Sequence, residues 1–109
     1  MTIGTQSDLV FPKRLKQARK RAGLSQERLG VLAEIDEATA SARMNQYERG
    51  IHFPDIQLVV RIAKQLKVPV SYLLEPDDTL AQIILIYGDL RAPARRHALR
   101  VFQEFKEEI

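Results

Sequence analysis

The chain of 109 residues contains no cysteine and no tryptophan, and aromatic residues make up only 6% of it. Without cysteine it has no disulfides, no thiol redox chemistry and no cysteine-ligated zinc. Its two histidines, His52 and His97, lie far apart with no ligand-like spacing around either, so no metal is expected. A core built without Trp must come from Leu, Ile, Val and Ala, which favours packed helices over a sheet. No apolar run approaches the roughly 18 residues needed to cross a bilayer. The opening MTIGTQSDLVF also lacks the basic-then-apolar plan of a secretory signal. A cytoplasmic protein with no membrane partner is therefore expected. Catalytic signatures are missing too. There is no Ser/His/Asp set, glycine-rich phosphate loop or pair of carboxylates placed for acid–base work, so neither an enzyme nor a cofactor is expected.

What is present is 45% apolar content, enough for one compact core and a short appendage. The formal charge is +3 and the isoelectric point about 9.4. The positive charge is concentrated near the N-terminal end, where Lys13, Arg14, Lys16, Arg19, Lys20 and Arg21 face only Asp8; residues 77–109 carry five basic and six acidic side chains. A basic end suits phosphate, and the last segment suits something else.

Residues 1–11 show no periodicity and read as a flexible N-terminal arm. Pro12 then opens a first helix whose stripe of Leu15, Ala18 and Ala22 ends at Gly23. Ser25 is a strong N-cap for a second helix over 26–34, with Leu29, Leu32 and Ala33 inward. Asp36 caps a third, ending near Glu48, with Ala40, Met44 and Tyr47 inward and Gly50 and Pro54 beyond it. Asp55 caps a fourth with Ile56, Val59, Ile62, Ala63 and Leu66 inward. VPVSYLL reads as a short fifth helix, and two more follow Pro76 and Pro93. The expected architecture is all-α.

The order of GLSQERL, YERG, Pro54 and RIAKQLKVPVSYLL resembles the Cro and CI repressor type of helix-turn-helix, the XRE family. The resemblance covers residues 12–75 and implies a five-helix, lambda-repressor-like DNA-binding domain followed by two C-terminal helices. It implies double-stranded DNA as partner, with the second helix across the backbone and the third in the major groove. Matched from the ERG end, its base-reading positions fall on Ser41, Ala42 and Gln46, with Arg43 and Asn45 as neighbours. Helical geometry adds Thr39 to the outward arc. Gln and Arg suit purine edges, and the methyls of Ala42 and Thr39 suit thymine. Gln26, at the start of the second helix, is placed to hold a phosphate, and Arg49 and His52 are the next candidates along that backbone. Arg19 and Glu48 match positions that form a structural ion pair in the family. One departure stands out. Between Ala33 and Met44 the chain has about four residues more than the family pattern, and they bring Asp36 and Glu37. Either the recognition helix gains a turn, with Asp36 as cap, or the turn ahead of it is longer.

Residues 77–109 form a C-terminal helical pair; its first member, over 79–90, is too apolar on too many sides for a helix with one wet face, and its second sets Ala94, Ala98, Val101, Phe102, Phe105 and Ile109 at helical spacing opposite a charged side. Two copies could close it as a four-helix cluster, which makes a homodimer the preferred expectation; both helices folding back on their own domain is the other. A transcriptional regulator, by preference a repressor on a palindromic operator, is thus expected. An antitoxin-like or adaptor module, holding a protein partner through the same helices, is the alternative.

Overall fold

A computed structural model describes residues 9–109, which form seven α-helices. These are α1 (Val10–Arg21), α2 (Gln26–Leu32), α3 (Glu37–Glu48), α4 (Ile56–Leu66), α5 (Val70–Leu74), α6 (Asp78–Asp89) and α7 (Ala92–Glu108). The architecture is all-α, with five helices around one core and two following it, as the sequence indicates. No helix among the described residues is long and apolar enough to cross a membrane.

Local chemistry explains most boundaries. Ser25 starts α2 by accepting a hydrogen bond from the Arg28 amide at 3.0 Å, and Asp55 starts α4 by accepting one from the Leu58 amide at 2.8 Å. Asp77 opens α6 by accepting from the amides of Thr79 and Leu80. The first four helices end alike, on a residue with positive φ whose amide and the next amide reach back to carbonyls in the last turn. Gly23 and Gly50 adopt this conformation freely, whereas Glu34 and Lys67 adopt it with a side chain. That turn stops α2 at Leu32, two residues before the expected end.

Helix α1 begins earlier than Pro12. Val10 and Phe11 are already helical, and the Phe11 ring is buried with its centroid 4.8 Å from that of Phe53. Pro12 is tolerated because its missing N–H falls in the first turn, where no intrahelical acceptor exists. The expected arm therefore loses Val10 and Phe11 to the helix and Leu9 to its N-cap position; its remainder, residues 1–8, lies outside the described residues.

The core joins Leu15 and Ala18 of α1, Leu29 of α2, Ala40, Met44 and Tyr47 of α3, five residues of α4, and Tyr72 and Leu73 of α5. Each fully buried Leu or Ile here stabilises the fold by about 1.5–3 kcal/mol relative to exposure. Two residues expected inward are instead exposed. Ala22 lies beyond the last turn of α1, and Ile56 is the first residue of α4, at the edge of the stripe formed by Leu58, Val59, Ile62, Ala63 and Leu66. Gly30 lets α2 and α3 touch closely, since a Cβ there would lie 2.8 Å from that of Ala40.

Helix α6 buries Ala81 and packs Ile84 and Leu85 against the core, while its other side exposes Leu80, Ile86 and Tyr87. Helix α7 has no buried residue over its 17 positions. The two helices flank an apolar cleft lined by Ile83, Ile86, Tyr87, Leu90, Ala98 and Phe102.

Candidate nucleic-acid interface

Helix α3 is amphipathic by its own spacing. Ala40, Met44 and Tyr47 recur at i, i+4 and i+7 and are buried, so the opposite arc must face outward. At about 100° per residue that arc is centred on Ala42 and Gln46, with Thr39 beside them. Ser41 and Arg43 stand on opposite flanks. Thr39, Ser41, Ala42 and Arg43 are exposed, and Asn45 and Gln46 are half-buried. The six α3 positions expected to read bases thus share one helix, but they differ in freedom.

Three are engaged within the protein, Thr39 by donating its hydroxyl to the Asp36 carbonyl at 3.3 Å. The Arg43 guanidinium donates to the Tyr47 hydroxyl at 2.7 Å and lies 5.8 Å from the centre of that ring. Asn45 Oδ1 accepts from Gln26 Nε2 at 3.3 Å, which places the Ser41–Asn45 flank beside α2 and Arg43 on the far side. Gln26 Nε2 also donates to Glu48 Oε1 at 3.2 Å. The Gln26 side chain, expected at a phosphate, is therefore already a strap between α2 and α3. Such a strap fixes the angle between the two helices.

Beneath it lies the ion pair expected from the resemblance. Arg19 Nη2 donates to Glu48 Oε1 at 3.0 Å while Arg19 Nε donates to Oε2, a bidentate contact. The Glu48 side chain is 3% exposed and that of Arg19 12%. The hydrogen bond from Arg19 to Glu48, reinforced by the charge of the carboxylate, raises the Arg19 pKa above its ordinary value despite burial. Arg19 Nη1 also donates to the Leu24 carbonyl at 2.8 Å, tying the turn before α2 to the same network. Arg19, Gln26, Asn45 and Glu48 thus form one connected set from α1 through α2 to α3.

The extra residues before Met44 belong to the helix. Helix α3 starts at Glu37 and has 12 residues, about 18 Å of helix, so the added length is a turn at its N-terminus. Asp36 takes the cap position without a side-chain bond; the Thr39 amide and hydroxyl both donate to the Asp36 carbonyl instead. Arg49 follows the last turn and is exposed, as is His52 in the loop to α4.

The basic stripe of α1 is not the free field that the sequence suggests. Arg14 is buried, Lys13 lies 3.5 Å from Asp78, and Arg21 lies 3.2 Å from Asp89. Lys16 and Lys20 remain exposed. The burial of Arg14 escaped the sequence reading, although its spacing from Phe11, Leu15 and Ala18 puts it on the apolar stripe. Asp78 and Arg14 are joined at 2.9 Å, and this hydrogen bond, with the charge of Lys13, holds the Asp78 carboxyl below the usual carboxylate range.

Comparison with known proteins places the geometry in a family. A family model described as a helix-turn-helix domain matches residues 13–73, which is α1 through most of α5. The crystal structure of the transcriptional regulator BswR superposes with a TM-score of 0.81 at 44% sequence identity, over 85% of this chain and 92% of that one. No curated protein matches. The superposition extends past the matched domain into the C-terminal helices, because 85% coverage exceeds residues 13–73 alone. The chain belongs to the helix-turn-helix domain family.

Proposed function

We propose that this protein is a sequence-specific DNA-binding transcriptional regulator of the Cro/CI (XRE) type, by preference a repressor, which binds a palindromic operator as a homodimer. The observation that carries the reading is α3 itself. It sets an exposed arc of Thr39, Ala42 and Gln46 opposite a buried Ala40, Met44 and Tyr47, and it is braced by Gln26 and by the Arg19–Glu48 pair. A helix held this way enters the major groove with its outward arc on the base edges. Ser41, Ala42 and Gln46 read bases, with Thr39, Arg43 and Asn45 beside them. Gln26, Arg49 and His52 lie along the phosphates, which set register and affinity but not sequence. Arg43 exchanges the Tyr47 hydroxyl for a guanine edge or a phosphate on binding. The likeness to the transcriptional regulator BswR supports the regulatory role, at an identity high enough for shared chemistry.

The dimer reading rests on the apolar surface of α6 and α7. Two such pairs, joined across a two-fold axis, make a four-helix cluster and present two recognition helices to successive major grooves. Selection of binding sites from random duplex DNA with the full chain, followed by sedimentation of the complex, tests the whole reading. The expected product is an inverted repeat with half-site centres about 34–36 Å apart and two chains bound. Recovery of unenriched sequence, or a different polypeptide needed in fixed stoichiometry, would sink it.

A further inference from the structure

Between α5 and α6 the chain has only Glu75, Pro76 and Asp77, and α6 is fastened to the helix-turn-helix domain at both ends. At its start, Arg14 of α1 is 5% exposed and donates Nε and Nη2 to the Glu75 carbonyl at 3.0 and 2.9 Å. Nη2 also donates to Asp78 Oδ1 at 2.9 Å, and the guanidinium carbon lies 5.6 Å from the centre of the Tyr72 ring. One buried cation thus holds the first carbonyl of the linker into α6 and a carboxylate in the first turn of that helix. Near its end, Gly88 lies against Pro69. A Cβ at Gly88 would come within 2.9 Å of both Cγ and Cδ of that proline. Glycine inside a helix costs roughly 1 kcal/mol relative to alanine, so its presence here fits the close approach that only it allows. Gly88 follows Asp78 by ten residues, about 15 Å along the helix, with Ala81 buried between them. Two attachment points that far apart fix a helix in direction as well as in place.

The elbow into α7 is fastened as well. Arg95 Nε donates to the carbonyls of Leu90 and Tyr87 at 2.9 and 3.2 Å, and Nη2 donates to that of Gly88 at 3.0 Å. The guanidinium lies 4.8 Å from the centre of the Tyr87 ring. These carbonyls lie at the end of α6, where that of Tyr87 also accepts from the Leu90 amide at 3.1 Å, and a cation from the first turn of α7 gathers all three and sets the angle of the elbow.

We propose that Arg14, Asp78, Gly88 and Arg95 are positioning residues that make the DNA-binding domain, α6 and α7 one rigid body, so that the homodimer accepts half-sites at one separation and one helical phase. This rests on the dimer reading above. A flexible tether would let two domains serve many spacings, because its effective concentration changes slowly with distance; a rigid joint loses the second contact when the geometry does not match. None of the four residues lies on the recognition face, so they decide operator spacing without reading a base.

The test uses the full chain and duplexes that carry two selected half-sites at separations varied one base pair at a time, beside a duplex with a single half-site. Wild-type protein is expected to bind its best spacing about a hundredfold tighter than one longer by half a turn, about 5 base pairs. Gly88→Leu pushes α6 away from Pro69. It is expected to move the preferred spacing or to cut the discrimination to about tenfold or less, with single half-site affinity unchanged. Asp78→Ala with Arg95→Ala, neither residue in the core, gives a second variant that loosens both attachments without overpacking, and the same flattening is expected. Circular dichroism and sedimentation confirm that each variant is folded and dimeric. Folded dimers that keep the wild-type spacing profile would overturn this inference alone, as would a wild-type profile that is flat. A wild-type chain that stays monomeric on DNA overturns the dimer reading and the inference with it.

Discussion

Helices α4 and α7 make the sharpest contrast in the molecule. Helix α4 has 11 residues and buries five of them, whereas α7 has 17 and buries none. Both carry an apolar stripe at helical spacing. On α7 the stripe holds Ala98, Val101, Phe102, Phe105 and Ile109, and Phe105 is 63% exposed. In the DNA-binding domain each stripe meets another from the same chain; in the C-terminal pair only the inner side of α6 does. An isolated helix of that length is marginal in water, because most helical stability in proteins comes from packing. The difference separates a self-sufficient core from an apolar surface that the described residues leave uncovered.

The contrast is broken most severely within the core. Glu48→Ala leaves the Arg19 guanidinium without its partner and is expected to destabilise the protein by about 3–5 kcal/mol. Glu34→Ala is the control, since its carboxylate is 77% exposed and 3.4 Å from Arg61. Surface pairs of that kind contribute at most about 1 kcal/mol. Urea midpoints that coincide for the two variants would show that the buried pair does not hold the domain together.

The other side of the contrast is broken on α7. Phe102→Asp combined with Phe105→Asp places charge on exposed positions, so the helical domain should keep its urea midpoint. Self-association is expected to vanish in sedimentation, and operator affinity to fall by about a hundredfold or more as the second half-site contact is lost. A variant that stays dimeric would move the interface elsewhere.

Recognition sharpens the comparison without touching either core. Gln46→Ala is expected to cost roughly 1–3 kcal/mol on the preferred site and to relax one symmetry-related pair of base positions, leaving the salt slope nearly intact. Arg49→Ala is expected to weaken binding about equally on all sequences and to lower that slope by roughly one. Titration of both variants against selected and scrambled duplexes at several salt concentrations measures this. A uniform loss for Gln46→Ala would remove that residue from the base-reading set.

The smallest effect lies at the joint between the two regions. Lys13 and Arg14 face Asp78 from α1, and they depress its folded-state pKa below the unfolded value of about 3.9. A depressed carboxylate contributes stability above the unfolded pKa and loses it as pH falls through the folded one. Asp78→Asn should therefore lower the urea midpoint slightly at pH 6, and the gap to wild type should close as the pH falls below about 4. A gap that widens on acidification would contradict the pairing.

The elements themselves were legible in the sequence. Ser25 and Asp55 are caps whose side chains satisfy amides three residues on, which is chemistry local enough to read from order alone, although Asp36, read the same way, makes no such bond. The stripe of Ala40, Met44 and Tyr47 likewise placed the outward arc of α3, and the extra residues before Met44 were readable as a turn because they nearly match one helical repeat. Less legible was what each polar group on the arc and on α1 would bond. Gln26 is strapped to Asn45 and Glu48, and Arg43 is turned to Tyr47.

The sequence by itself determined seven helices, their order and most of the buried stripe of α1 to α4, since propensity, capping and periodicity act over a few residues. The tertiary structure alone decided that α1 begins at Val10, that Arg14 is a buried clamp and not part of a basic stripe, and that Gly88 meets Pro69. Those outcomes depend on contacts between residues far apart in the chain. The distance from Arg14 to Asp78 along the sequence carries no trace of the 2.9 Å between their side chains, which exists only once α1, α5 and α6 have packed.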